Sequence, residues 1–235
     1  MRLDKYIASQ SAELSRKDVK ELCRRGRVKV NGKAASKADM QIDENTAAVE
    51  IDGQQLSYRR YIYIMLNKPQ GVVSSTRDGI SKTVLELVPP ELRRPGLFPA
   101  GRLDKDTEGF VLLTDDGALA HRMLSPRSHV PKTYFVKLEK PCLDEYCDIF
   151  AKGAAIDGGE KCLPAELKKT DDPFACLLTL HEGKYHQVKR MFISVGNKVL
   201  YLKRISIGNM VLDENLEPGK CLEILHKDVD NLLAD

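Results

Sequence analysis

Apolar and polar positions change period several times along the chain, and each change marks a predicted element. Ser15, with Asp18 three residues on, reads as an N-cap with an acid in capping-box position. It opens a helix over 16–25 that stops at Gly26, a natural residue just past a helix end. Val19 and Leu22 give that helix an apolar stripe, which Cys23 can join, while Lys17, Lys20, Arg24 and Arg27 fall on other faces toward solvent. Residues 27–30 then alternate as a short strand into Asn31-Gly32, the dipeptide of a type I′ hairpin turn.

Over 52–60 the pattern lapses into the polar run DGQQLSYRR, and a strongly apolar strand resumes at 61–66. The lapse places a domain boundary there, giving domains of 1–58 and 59–235. Beyond it, strands are predicted at 61–66, 110–114, 133–138, 176–181 and 198–207, and helices at 118–124, 143–152 and 185–195. Asp115-Asp116-Gly117 reads as the turn leading into the first of these helices. The expected fold is α+β, with a mixed, mainly antiparallel sheet flanked by helices. Neither G-x-G-x-x-G nor G-x-x-x-x-G-K-[ST] occurs, so no nucleotide cofactor is expected.

Composition sets outer bounds: 235 residues, 42% hydrophobic and 30% charged, suit a globular protein of one or two domains. No apolar run approaches the roughly 18 to 20 residues of a membrane helix. The start, MRLDKYIASQ, lacks the apolar stretch of a signal peptide, so a cytoplasmic chain with no membrane partner is expected. Six cysteines without a C-x-x-C pair read as reduced structural thiols. His181 and His186 have no cysteine pair to complete a zinc set, and no metal is expected.

The net charge of +3 conceals a sharp division. Residues 1–37 hold 11 Lys/Arg against 4 Asp/Glu, and residues 181–204 hold 6 basic residues against Glu182 alone. Two basic zones of +7 and +5 therefore stand in a remainder of −9, a distribution that favours an extended polyanion as partner.

Candidate chemistry concentrates in Gly101-Arg102-Leu103-Asp104-Lys105-Asp106-Thr107-Glu108-Gly109, the loop ahead of the strand at 110–114. Asp104 and Asp106 could clamp a metal, act as acid, base or nucleophile, or simply satisfy backbone groups in a turn. On the helix at 185–195, Val188, Met191, Phe192 and Val195 define the apolar face, and Arg190 projects almost opposite, toward solvent. Lys189 falls inside the wider apolar arc, where it either snorkels or needs a carboxylate, and Asp104 is the candidate partner.

Two resemblances draw these signals together. RLDKYIAS followed by SRKDVKELCRRGRVKVNGK resembles the S4 RNA-binding domain, which implies a small α/β unit reading the shape and phosphates of folded RNA through Arg16, Lys17, Lys20, Arg24 and Arg27. GRLDKDTEGFVLLTDDG, with NKPQG at 67–71, KTY at 132–134 and EGKYHQVKRMF at 182–192, resembles the RsuA branch of the pseudouridine synthases over nearly the whole chain. This likeness implies cleavage of the N1–C1′ bond of a flipped uridine and rejoining through C5. HQVKRMF is closer to the small-subunit rRNA enzymes, so the implied partner is ribosomal RNA, as a small-subunit assembly intermediate, with a monomer as the default state.

The same likeness implies that Asp104 is the essential aspartate, either attacking C1′ or removing the C2′ proton. Lys189 is the basic residue paired with it, with Arg190 as the alternative and otherwise one of the RNA contacts. Tyr134 lies against the target base, although its alternation with Val136 and Leu138 equally suits a core tyrosine. Arg102 fills the space of the flipped base or holds phosphate, Leu202 makes the apolar contact beneath the base, with Leu200 and Ile205 as alternatives, and Lys68 and Lys132 position phosphates. Competing readings are a large-subunit rRNA enzyme of the same branch, a non-catalytic S4-type assembly protein, and a metal-dependent phosphoesterase built on Asp104 and Asp106.

Overall fold

A computed structural model describes residues 1–125, 128, 130–229 and 232. The chain divides into two compact units, Met1–Ile62 with Val88–Leu97, and Tyr63–Leu87 with Phe98–Asp235. Residues 88–97, which the sequence assigns to the second domain, pack with the first. The buried Arg94 guanidinium donates to Ser9 O at 2.9 Å, and Ala12 N donates to Arg93 O at 3.1 Å.

In the first unit, helices α1 (Leu3–Ser9) and α2 (Arg16–Arg24) accompany strands β1 (Val28–Val30), β2 (Lys33–Ala34), β3 (Val49–Ile51) and β4 (Gln54–Leu56). The strands form an antiparallel sheet of order β2-β1-β3-β4. The capping box of α2 forms as the sequence requires: Ser15 Oγ accepts from Asp18 N, and the Asp18 carboxylate accepts from Ser15 N. Such a cap contributes about 1 kcal/mol. Val19 and Cys23 turn inward onto Leu3, Tyr6, Ile7, Val28 and Val49, the core of this unit. Asn31 and Gly32 take φ of 51° and 77°, as the turn between β1 and β2 demands. Asp52 and Gly53 repeat this at 54° and 80°, so part of the supposed boundary run is in fact a hairpin. Its strand QQL carries no apolar alternation, which is why the pattern appears to lapse there.

The second unit holds β5 (Tyr63–Lys68), β6 (Phe98–Pro99), β7 (Glu108–Thr114), α3 (Gly117–Leu124), β8 (Lys132–Leu138), α4 (Asp144–Ala151), β9 (Ala155–Ile156), β10 (Glu160–Lys161), β11 (Glu166–Lys169), β12 (Ala175–Leu180), α5 (Gln187–Ser194), β13 (Val199–Ile207), β14 (Met210–Val211), β15 (Cys221–Glu223) and α6 (His226–Val229). A mixed sheet of order β11-β12-β8-β13-β7-β5-β15, with β14 on β13 and β6 on β7, is antiparallel throughout except between β13 and β7. The expected α+β class is the one observed. Every predicted strand and helix of this unit is present, with ends shifted by one or two residues, whereas the two-residue strands β9 and β10 and the mainly polar β11 carry no periodic signal. Asp116 caps α3, its Oδ1 accepting from Ala118 N and Leu119 N at 3.0 Å each.

The parallel seam between β7 and β13 fixes where the loop ahead of β7 stands. Gly109, at φ 103°, lies against Arg204 so closely that a Cβ there would stand 2.2 Å from Arg204 O. Register partners Lys68, Gly109, Arg204 and Tyr134 make one row across β5, β7, β13 and β8, and directly paired residues share a face of the sheet.

Candidate active site

Asp104 sits in a turn closed by Thr107 N donating to Asp104 O at 3.1 Å, immediately before β7. The turn is held by its neighbours. Ser74 Oγ accepts from Leu103 N at 3.1 Å and donates to Leu103 O at 3.2 Å, while Gly71 N donates to Lys105 O at 2.8 Å. Lys68, with no exposed surface, donates from Nζ to Pro69 O, Val72 O and Lys105 O at 3.0, 2.8 and 3.3 Å. The NKPQG segment is thus the underside of the aspartate loop, and Lys68 cannot meet an RNA phosphate as the sequence suggested.

From α5 comes the cation that the helical wheel called for. Lys189 Nζ stands 3.2 Å from Asp104 Oδ2 and 2.6 Å from Asp106 Oδ1. Burial opposes its charge, but the hydrogen bonds and charges of the two aspartates outweigh that and raise its pKa above the ordinary lysine value. The hydrogen bond from Lys189 holds Asp106 below the usual carboxylate range. Because the ammonium occupies the gap between the carboxylates, it takes the position a metal clamp would need. No group of three or more His, Cys, Asp or Glu side chains able to hold a metal occurs among the described residues.

His186 completes the cluster, with Nε2 3.6 Å from Asp104 Oδ1. Sequence reasoning missed this role, having extended the helix back to Tyr185. In the structure His186 is the N-cap of α5 at φ 48°, and that left-handed residue turns the imidazole to the aspartate side.

The other expected residues divide. Tyr134 and Leu202 are buried on one face of the sheet, since Tyr134 pairs with Arg204 and Leu202 with Val136. Ile205, an alternative to Leu202, instead lines a cavity of about 810 Å³ with Phe135, Leu177 and Lys203, residues one position out of phase with that face. Leu200, the other alternative, is 60% exposed. Arg102 is exposed beside the aspartate loop. Lys132 is half-buried, its Nζ donating to Val130 O at 2.7 Å, and burial pushes it down to about 8.

Arg190 does not project freely to solvent. It pairs with Asp157 and Glu160, so it is not the partner of Asp104. In the first unit, Arg16 binds Asp4 at 2.8 Å, Arg24 binds Glu21 at 2.8 Å and Arg27 binds Asp52, all ion pairs that a phosphate would have to displace or share. Lys17 and Lys20 are exposed, with no ion-pair partner among the described residues. A further buried cation, Arg204, went unmarked by the sequence: its Nε donates to Phe110 O at 2.8 Å and its Nη2 has no partner among the described residues.

Burial pushes Lys68 down to about 8 from 10.5, against the pull of Asp106, Asp104 and Glu108. Between those two pH values the unfolded chain binds the extra proton, so the contribution of Lys68 to stability rises with pH through that window, by at most roughly 3 kcal/mol. Lys68→Met removes the titration while keeping the apolar stem. In urea titrations the stability of the wild type relative to Lys68→Met is expected to climb between pH 8 and 10.5; a flat difference would show that burial imposes no cost on the ammonium.

Comparison with known proteins bears on the same residues. The model of the RNA pseudouridylate synthase family matches residues 62–194, and that of the S4 domain matches residues 1–47. An uncharacterized RNA pseudouridine synthase of Bacillus subtilis, YtzG, is 48% identical over 232 residues, covering 97% of each chain. The ribosomal small subunit pseudouridine synthase A of Vibrio cholerae is 41% identical over 99% of each. A crystal structure of a pseudouridylate synthase superposes with a TM-score of 0.69 at 40% identity, again over 99% of both chains. The Asp104–Lys189 pair lies inside the matched span, the likeness runs the length of the chain, and the protein belongs to the RNA pseudouridylate synthase family, isomerases, with an S4 domain at its N-terminus.

Proposed function

We propose that the protein converts one uridine of small-subunit ribosomal RNA to pseudouridine, with Asp104 as its catalytic carboxylate. The observation that carries this reading is the Lys189 ammonium bridging Asp104 and Asp106 at the head of β7. A family of enzymes that makes and breaks a bond at C1′ needs one carboxylate fixed in place, and the lysine together with the Ser74 and Lys68 bonds fixes this one. The choice of small-subunit RNA is supported by the name of the Vibrio relative.

The reaction is an isomerisation. The N1–C1′ bond of the flipped uridine breaks, the base turns, C5 bonds to C1′, the proton on C5 leaves, and N1 gains one. Asp104 either attacks C1′ to give a covalent ester, later released, or takes the C2′ proton to give a glycal and returns it. Lys189 stabilises negative charge on Asp104 in either course. Tyr134 flanks the base and assists loss of the C5 proton, Leu202 supports the ring from below, and Arg102 takes the place the base vacates in the RNA. The first unit serves for RNA binding, with Lys17 and Lys20 as the cations free to meet phosphates, and the second for catalysis. The enzyme works in the cytoplasm, as a monomer, on a partly assembled small subunit.

Purified protein incubated with small- and large-subunit rRNA transcripts and with partly assembled subunits, followed by chemical mapping of pseudouridine, tests the proposal. One new pseudouridine in small-subunit RNA is expected. Modification confined to large-subunit RNA would move the target to the other subunit, and modification of neither would overturn the reading.

A further inference from the structure

Tyr185 is an aromatic side chain left 76% exposed beside the aspartate cluster. It is not loosely placed. Its ring stacks on His186 with centroids 3.8 Å apart and planes 19° from parallel, and His186 Nε2 is 3.6 Å from Asp104 Oδ1. One ring thickness therefore separates the Tyr185 side chain from the imidazole that touches the aspartate.

The backbone beneath is held in a costly shape. His186 lies at φ 48°, ψ 32° without glycine's freedom and without a side-chain cap bond, a conformation that costs roughly 1–2 kcal/mol. Such strain persists only where the surroundings enforce it, and it collects at functional sites. Here Arg190 Nη1 donates to Tyr185 O at 3.1 Å, while the same guanidinium is fixed by Asp157 and Glu160. Gln187 Oε1 accepts from Lys184 N at 2.9 Å, and Gln187 Nε2 donates to Glu182 at 2.7 Å. Lys184 Nζ reaches Glu160 Oε1 at 2.9 Å. The backbone of the turn is braced on both sides, and it presents a flat ring stacked on His186.

Resting on the reading of this chain as an RNA-modifying enzyme, we propose that Tyr185, backed by His186, is a stacking platform for an unpaired base flanking the target uridine. Aromatic faces receive unstacked bases in single-stranded and looped RNA, with little dependence on which base it is. Extruding a uridine leaves its neighbour without a stacking partner, and a preformed ring next to Asp104 supplies one. Arg190, which the sequence placed among the RNA contacts, then acts as a positioning residue for the platform.

The test measures RNA affinity, KM and kcat on the transcript that the wild type modifies, for wild type, Tyr185→Ala and Tyr185→Phe. With the ring exposed, neither substitution threatens the core. Loss of one stacked base corresponds to about 5- to 150-fold. Tyr185→Ala is expected to raise Kd and KM by a factor in that range with kcat within about twofold, and Tyr185→Phe to retain wild-type values. In RNA made abasic at the nucleotide on one side of the target, the difference between wild type and Tyr185→Ala should vanish. Unchanged Kd and KM in Tyr185→Ala, a Phe variant as impaired as the Ala variant, or a difference that survives abasic substitution on both sides would overturn the platform while leaving the proposed function standing. A wild type that forms no pseudouridine on any transcript would overturn both.

Discussion

Asp104→Asn is expected to lower pseudouridine formation by on the order of 10⁴-fold while the protein remains folded. Asparagine keeps the shape of the side chain and still accepts a hydrogen bond, but it neither attacks C1′ nor accepts the C2′ proton. Stability should change by no more than about 1 kcal/mol, because Lys189 keeps the carboxylate of Asp106 at 2.6 Å and is not left as an unpaired charge. Single-turnover assays with excess enzyme, run beside urea titrations, separate the two effects. Activity within tenfold of wild type would remove Asp104 from the chemistry.

Gly109→Ala should be the most damaging small substitution in the second unit. A Cβ at this position would lie 2.2 Å from Arg204 O and 2.7 Å from Arg204 N, both backbone atoms, and φ is 103°. Backbone strain of about 1–3 kcal/mol adds to a similar cost for displacing β13, so a loss of roughly 3–5 kcal/mol is expected. Gly101→Ala is the control. Its φ is 100°, but the nearest atom is the flexible end of Leu124 at 3.2 Å, so only the strain should be felt. Urea midpoints for the pair check the difference, and equal losses would mean that contact with Arg204 contributes nothing.

What could be read from the sequence was whatever local chemistry determines. Ser15 and Asp18 cap a helix through groups three residues apart, and Asn31-Gly32 makes its turn alone. Lys189 was legible for a different reason: a lysine within an apolar arc requires a carboxylate, and the loop at 104–106 offered two. Lys68 was not, since three carbonyls from separate loop positions bury it and none is implied by the strand that carries it. Arg190 misled because the wheel treats the side opposite the apolar face as solvent, whereas Asp157 and Glu160 lie there. His186 could have been found by noticing that Gln187 can bond back to Lys184 N, which starts the helix late and frees the preceding residue to turn.

The seam between β7 and β13 joins two antiparallel blocks through only two register pairs, Lys203 with Glu108 and Arg204 with Gly109. Asp104 precedes the strand on one side of that joint and Lys189 the strand on the other, 85 positions apart in sequence. Neither block alone contains both residues of this ion pair. The Asp104–Lys189 pair therefore exists only where a long loop has been closed and the two blocks are paired. If these residues act as proposed, a nascent chain that ends before Lys189 lacks the cation beside Asp104 even where its first unit is complete.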